Sequence, residues 1–251
     1  MAYDVGSINP SSKYSQSFPA QRQMDGVRIP HLADVIDFLM EPGHEHVRLN
    51  VEIKVDLLNT ANSAYSRPDR IIETLLALLG ETCMNVRTEV QCFDWTVLEL
   101  LGTKHEATGI TRSYLSDGGY SLWMNWFAST YDTPVTLDNY ATALTARILN
   151  IEAARPELVS CWQPYYGRAG DLQSCITGPM VDTAHAVGLP VVPWTLYDAA
   201  DVPAAHVPFE PALSTSTATA LLKGVDGVLT NRPDIARGVF AANGIGLPSA
   251  G

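Results

Sequence analysis

Apolar and polar residues alternate without a break from Leu49 to Lys54 (Leu-Asn-Val-Glu-Ile-Lys). This period of two predicts a strand with Leu49, Val51 and Ile53 on one face and Asn50, Glu52 and Lys54 on the other. A carboxylate and an ammonium thus share one surface of a segment otherwise built for burial. Two charges placed there are expensive unless a metal ion, an anion or each other compensates them. A ligand site and a structural Glu-Lys ion pair both meet that condition.

The surrounding pattern repeats strand then helix. The strand Val47 to Lys54 is followed by turn residues, and Ser66-Arg67-Pro68 opens a helix through Ile71, Leu75 and Leu78 that Gly80 stops. Arg87 to Phe93 reads as a second strand, after which Asp94 can cap a helix carrying Trp95, Leu98 and Leu101 and ending at Gly102. A third strand spans Ala107 to Leu115. The aromatic segment Tyr120 to Phe127 reads as an excursion before a helical run near Leu137 to Arg147. Ser160 to Tyr166 gives a fourth strand, Asp171 to Val187 a helix ended by Gly188, and Pro190 to Leu196 a fifth strand. Ser214 to Lys223 reads as a helix, Gly224 to Asn231 as a sixth strand, and Pro233 to Ala242 as a terminal helix. The first 46 residues read as loop followed by one helix from His31 to Met40.

Regular alternation with short apolar strands implies a parallel sheet with right-handed crossovers. No glycine-rich dinucleotide or phosphate loop follows any strand, and polar or aromatic residues stand at several strand ends, which suits a barrel that draws its site from many strands. The expected fold is α/β, a (β/α)8 TIM-type barrel with about six of eight βα units present, forming one domain over residues 1–251.

The length of 251 residues and 46% hydrophobic content suffice for one sizeable core. A net charge of -11 argues against nucleic acid as a partner, although local basic residues can hold one small phosphate. No stretch approaches the roughly 20 apolar residues needed to span a bilayer, and the N-terminus lacks a basic region followed by an apolar run. The chain as written is therefore read as soluble, without a signal peptide. Cys83, Cys92, Cys161 and Cys175 lack the paired spacing of zinc sites and are expected to be buried free thiols. His44-Glu45-His46 has the look of a chelate, but its Gly-rich setting favours a solvated loop.

The strand ends together spell a pattern that resembles the glycerophosphodiester phosphodiesterase family. The matching pieces come in the family's order: Arg28-Ile29-Pro30-His31-Leu32, Asn50-Val51-Glu52-Ile53-Lys54, Gln91-Cys92-Phe93-Asp94-Trp95, Val192-Pro193-Trp194-Thr195, and Gly224 to Asp234. The resemblance implies a metal-dependent barrel that hydrolyses a small-molecule glycerophosphodiester to glycerol 3-phosphate and an alcohol. It implies Glu52 as a ligand of a divalent metal, Ca²⁺ or Mg²⁺, with Lys54 on the substrate phosphate and Trp194 stacked over the glycerol part. The alternative for Trp194 is a core tryptophan packing a barrel layer. At Gln91 to Phe93, Cys92 replaces the small hydroxyl residue usual in the family, and Phe93 can also be mere packing. Asn231 stands where the family often has aspartate, and Asp226 reads as structural, bonding its own backbone in a tight turn.

The family pattern also includes a His-Arg pair on the first strand, a Glu-x-Asp pair on the second and a further histidine, and none of these stands in this chain. No catalytic residue is therefore assigned and the metal site is incomplete, as expected for the carboxyl-terminal three-quarters of such an enzyme. The alternative function is a non-catalytic remnant that binds small phosphates or a partner. A third reading, a carbohydrate-active barrel, rests on Trp123, Trp126, Trp162 and Trp194, but requires a second carboxylate beside Glu52. The alcohol head group, metal preference, localisation and oligomeric state are not encoded in these patterns.

Overall fold

The computed structural model of the protein describes residues 4–12, 15, 22–55, 67–118, 121–136, 138–153, 160–164, 176–196, 221, 223–230 and 233–245. Asn231, Cys175, His206 and most of the expected helix over 214–223 lie outside the described residues, as do the parts of other expected elements at 66, 120, 137, 165–166 and 171–175.

Four of the expected strands form a parallel sheet in sequence order: β1 (Leu49–Glu52), β2 (Thr88–Cys92), β3 (Thr111–Ser116) and β4 (Ser160–Pro164). The register sets Asn50 beside Glu89, Glu52 beside Gln91, Gln91 beside Ser113, and Leu115 beside Gln163. The fifth and sixth segments continue the same order as single bridges, Trp162 to Val191 and Leu196 to Thr230. Pro190 and Pro193 explain why no full strand forms there, because neither can donate to a ladder. Their carbonyls still accept from Trp162 and Leu229 at 2.9 and 3.0 Å. This ordered parallel sheet with helical crossovers is the α/β barrel arrangement, and it is open among the described residues.

The helices are α1 (Leu32–Met40), α2 (Pro68–Thr82), α3 (Trp95–Gly102), α4 (Ser121–Tyr131), α5 (Tyr140–Glu152), α6 (Gly178–His185) and α7 (Pro233–Ala242). Asp94 caps α3 as expected, accepting from the Thr96 amide at 3.0 Å. Gly80 does not stop α2. The helix runs on to Thr82, and Cys83 takes the left-handed capping conformation at φ 56°, exposed rather than buried. The aromatic excursion is also a correction, since it forms α4.

Val90, Cys92, Tyr114 and Trp162 are fully buried on the face of the sheet that the helices cover. Trp95, at the start of α3, joins Tyr114 to Trp123 and Phe127 of α4 in edge-on and tilted ring contacts 4.9 to 5.9 Å apart. Trp123 and Phe127 are spaced i, i+4, so one face of α4 carries both into that cluster. The carbohydrate reading loses most of its support here, because Trp123 and Trp162 are core and Trp126 packs at a tilt against Trp123.

Arg87 fixes the loop before β1 by donating to the carbonyls of Leu39, His44 and Val47 at 2.5 to 3.2 Å. Arg112 lies on the helix-covered face, 2% exposed, and reaches the Leu98 carbonyl near the C-terminus of α3 at 3.4 Å. A cation is favoured there by the carbonyl end of the helix. Gly102 makes room for it, since a Cβ at that position would lie 1.9 Å from Arg112 Nη1. Helix propensity alone predicts that Gly102→Ala stabilises by about 1 kcal/mol. The displaced guanidinium outweighs this, although the adjoining cavity lined by Glu99, Thr103 and Arg147 gives it somewhere to move. The expected net loss is about 1–2 kcal/mol, read as a lower urea midpoint and absent in an Arg112→Met background. A higher midpoint for Gly102→Ala alone would show that this close packing is not limiting.

Candidate functional site

Parallel strands end together, so the residues at the carboxyl ends of β1, β2 and β3 and of the two bridged segments converge on one mouth. A cavity of about 360 Å³ opens there, lined by Glu52, Lys54, Gln91, Phe93, Leu115, Trp194, Thr195, Leu229 and Thr230. Glu52, Lys54 and Trp194, singled out in the sequence, therefore share one wall although 140 positions separate Lys54 from Trp194 in the chain.

Lys54 Nζ sits 3.1 Å from Glu52 Oε2, with the lysine side chain 73% exposed and the glutamate 25%. An ion pair that open to water contributes between nothing and about 1 kcal/mol. Stability therefore gives little reason for the pair, whereas its place in the cavity gives both charges access to a ligand.

Trp194 is fixed at both ends. Its amide donates to the Pro164 carbonyl at 3.0 Å and its indole N–H to the Gln163 carbonyl at 2.9 Å. The ring meets Phe93 edge-on, with centroids 5.3 Å apart and planes at 82°. Phe93 is thus cavity wall, and its carbonyl accepts from Trp123 Nε1 at 3.1 Å. Cys92, between Gln91 and Phe93 in sequence, points the other way. Its thiol is buried, meets the Ile53 carbonyl at 3.0 Å, and is held protonated by loss of hydration, so it offers no nucleophile to the cavity.

Below the mouth the inward face stays polar. Glu89 accepts from Ser113 Oγ and Gln163 Nε2, and Asn50 Nδ2 donates to Gln91 Oε1 at 3.2 Å. Glu89 was not singled out in the sequence, and Gln91 stood only as the first residue of the Gln91-Cys92-Phe93 piece, without a role. Their signal was the alternation Glu89, Gln91, Phe93, which only the register with Asn50 and Glu52 turns into a location.

Other polar candidates lie elsewhere. The His44 ring packs 4.2 Å from Phe38 and bonds the Phe38 carbonyl, and Glu45 accepts from the Gly43 amide. No group of three or more His, Cys, Asp or Glu that could hold a metal is present among the described residues. Asp226 does not bond its own backbone. It accepts from the Val191 amide at 2.7 Å and meets His185 Nε2 at 2.8 Å, tying α6 to the sheet. Among the described residues no helix is long and apolar enough to cross a membrane.

The sequence profile of the glycerophosphoryl diester phosphodiesterase family matches residues 4–235. Among solved structures the chain is similar to a protein of Silicibacter pomeroyi DSS-3 described as a glycerophosphoryl diester phosphodiesterase, at 23% identity and a TM-score of 0.68, over 96% of this chain and 66% of that one. It is also similar to a protein of Galdieria sulphuraria described as a glycerophosphodiester phosphodiesterase, at 17% identity and a TM-score of 0.53, over 89% of this chain and 69% of that one. At these identities the likeness is one of fold, and this chain spans about two-thirds of either neighbour's length. No protein of curated description matches the chain.

Proposed function

The chain belongs to the glycerophosphoryl diester phosphodiesterase family, and we propose that its strand-end cavity binds a glycerophosphodiester for hydrolysis to glycerol 3-phosphate and an alcohol. The observation that carries this reading is the convergence of Glu52, Lys54 and Trp194 on one cavity. In the overall reaction water adds across the P–O bond to the alcohol. The alcohol oxygen leaves with a proton, and phosphorus keeps its bond to the glycerol oxygen.

Lys54 is assigned to the phosphate. Its ammonium neutralises the diester anion and the further charge that develops on the phosphoryl oxygens in the transition state. Trp194 and Phe93 form the apolar wall against which the glycerol carbons rest, with the indole held by its bond to Gln163. Glu52 is assigned as a ligand of a divalent cation, Ca²⁺ or Mg²⁺, which would polarise a phosphoryl oxygen. Such an ion takes about six or more oxygens. Among the described residues Glu52 is the one carboxylate lining the cavity, and Lys54 lies on one of its oxygens. The described wall therefore does not fit a complete metal site, and no step is derived through the ion.

The same wall favours one other reading, phosphate binding without hydrolysis, because no histidine is among the described residues lining the cavity. Glycerol 3-phosphate release from glycerophosphocholine, measured with Ca²⁺ or Mg²⁺, separates the two. Turnover supports the hydrolase, and binding without turnover supports the other reading. Where turnover is seen, Trp194→Ala is expected to raise KM about tenfold, the equivalent of one aromatic contact, with a smaller change in kcat. An unchanged KM would remove Trp194 from the substrate site.

A further inference from the structure

We propose that Gln91 is a second anion-binding residue of this cavity, its carboxamide N–H₂ donating to a phosphoryl oxygen, and that Asn50 is the positioning residue that sets which end of the amide faces the ligand. The inference rests on the phosphodiester reading above and extends it to two residues that stand in the matching motifs without an assigned role.

Gln91 is the register partner of Glu52, so the two side chains stand side by side on the same face of adjacent strands about 4.8 Å apart. Both line the cavity with Lys54. An amide can present either its oxygen or its nitrogen, and the two ends suit opposite ligands. Here Asn50 Nδ2 donates to Gln91 Oε1, which turns the oxygen toward β1 and leaves Nε2 as the end turned away from Asn50. An amide in this orientation presents a donor, which suits an oxyanion and not a cation.

One layer lower, Glu89 accepts from both Ser113 and Gln163, so its carboxylate is engaged by side chains of β3 and β4. Gln91 is the next polar side chain on β2 toward the mouth. Lys54 and Gln91 then divide the work. The mobile, exposed ammonium supplies charge, and the neutral amide supplies direction. A charge contact weakens with salt because mobile ions screen it, whereas a hydrogen bond from a neutral amide is much less sensitive.

Isothermal titration with inorganic phosphate, on the full chain in metal-free buffer, tests this with variants whose folding is checked by thermal melts. Gln91→Ala is expected to weaken phosphate about tenfold. Gln91→Glu, nearly isosteric, is expected to weaken it about 100-fold by replacing a donor with a like charge. The Gln91→Ala defect should persist at about 0.5 M salt, while the Lys54→Ala defect shrinks. Asn50→Ala is expected to cost about threefold in wild type and nothing further in a Gln91→Ala background, a non-additivity that a general loss of stability does not give.

Wild-type phosphate affinity in both Gln91 variants, with Lys54→Ala still impaired, would overturn the role of Gln91 and leave the phosphodiester reading standing. Additive effects of Asn50→Ala and Gln91→Ala would overturn the positioning role of Asn50. Absence of binding by wild type to both phosphate and glycerophosphocholine would overturn this proposal and the reading beneath it together.

Discussion

Lys54→Ala is expected to lower kcat/KM for glycerophosphocholine by about 100-fold or more, the scale of losing one positioned charge that stabilises a phosphoryl-transfer transition state. In the free protein Lys54 is largely exposed and its pair with Glu52 is weakly stabilising, so the substitution should leave the melting temperature almost unchanged. That combination is the test. A group kept for stability loses stability when removed, whereas a group kept for a ligand loses function. Lys54→Arg keeps the charge but exchanges a compact ammonium for a planar fork, and is expected to restore only part of the activity. Were Lys54→Ala to turn over substrate like wild type, the Glu52–Lys54 pair would be a surface ion pair and the phosphate would bind elsewhere.

The same pair shows how far the sequence reached. Alternation over Leu49 to Lys54 was enough to place Asn50, Glu52 and Lys54 on one face, because side-chain direction in a strand is local. The cap at Asp94 and the helix from Trp95 to Gly102 were equally local, and both are found as expected. The role of the aromatic segment was not local. Trp123 and Phe127 make a helix face only against Trp95, about 30 positions earlier, and without that partner the segment reads as an excursion. The last two strands were foreseen as strands but reduce to single bridges, because Pro190 and Pro193 withdraw donors that a hydropathy pattern does not count. Gln91 was visible only as the opening residue of the Gln91-Cys92-Phe93-Asp94-Trp95 piece, without a role. Its place beside Glu52 is a fact of register, and register depends on pairing between β1 and β2 that neither segment specifies alone. The four tryptophans that suggested a sugar site were indistinguishable in sequence, and burial separates Trp194, on the cavity, from Trp123 and Trp162 in the core.

Trp95→Ala is expected to destabilise the fold by about 4 kcal/mol, within the range for emptying a fully buried tryptophan site. The ring is in contact with Tyr114, Trp123, Phe127 and Tyr131, so a truncation there leaves a void bounded by β3, α3 and α4 that rigid rings cannot close. Denaturation followed in urea should show the loss as a lower midpoint. Beside its packing, Trp95 contributes a hydrogen bond from its indole N–H. Trp95 Nε1 donates to the Leu115 carbonyl at 2.8 Å and Trp123 Nε1 to the Phe93 carbonyl at 3.1 Å, and both acceptors belong to residues that line the cavity. The aromatic cluster behind the sheet thus holds two strand ends in front of it. Trp95→Phe separates the two contributions, since it retains most of the ring contacts and removes the hydrogen bond, leaving the Leu115 carbonyl buried without that donor. A loss of about 1–3 kcal/mol is expected for it, clearly smaller than for alanine. Phosphate affinity measured on folded Trp95→Phe should fall with it if the indole bond sets the position of the β3 end. Equal stability losses for the phenylalanine and alanine variants would mean that the hydrogen bond, not the packed ring, dominates at this position.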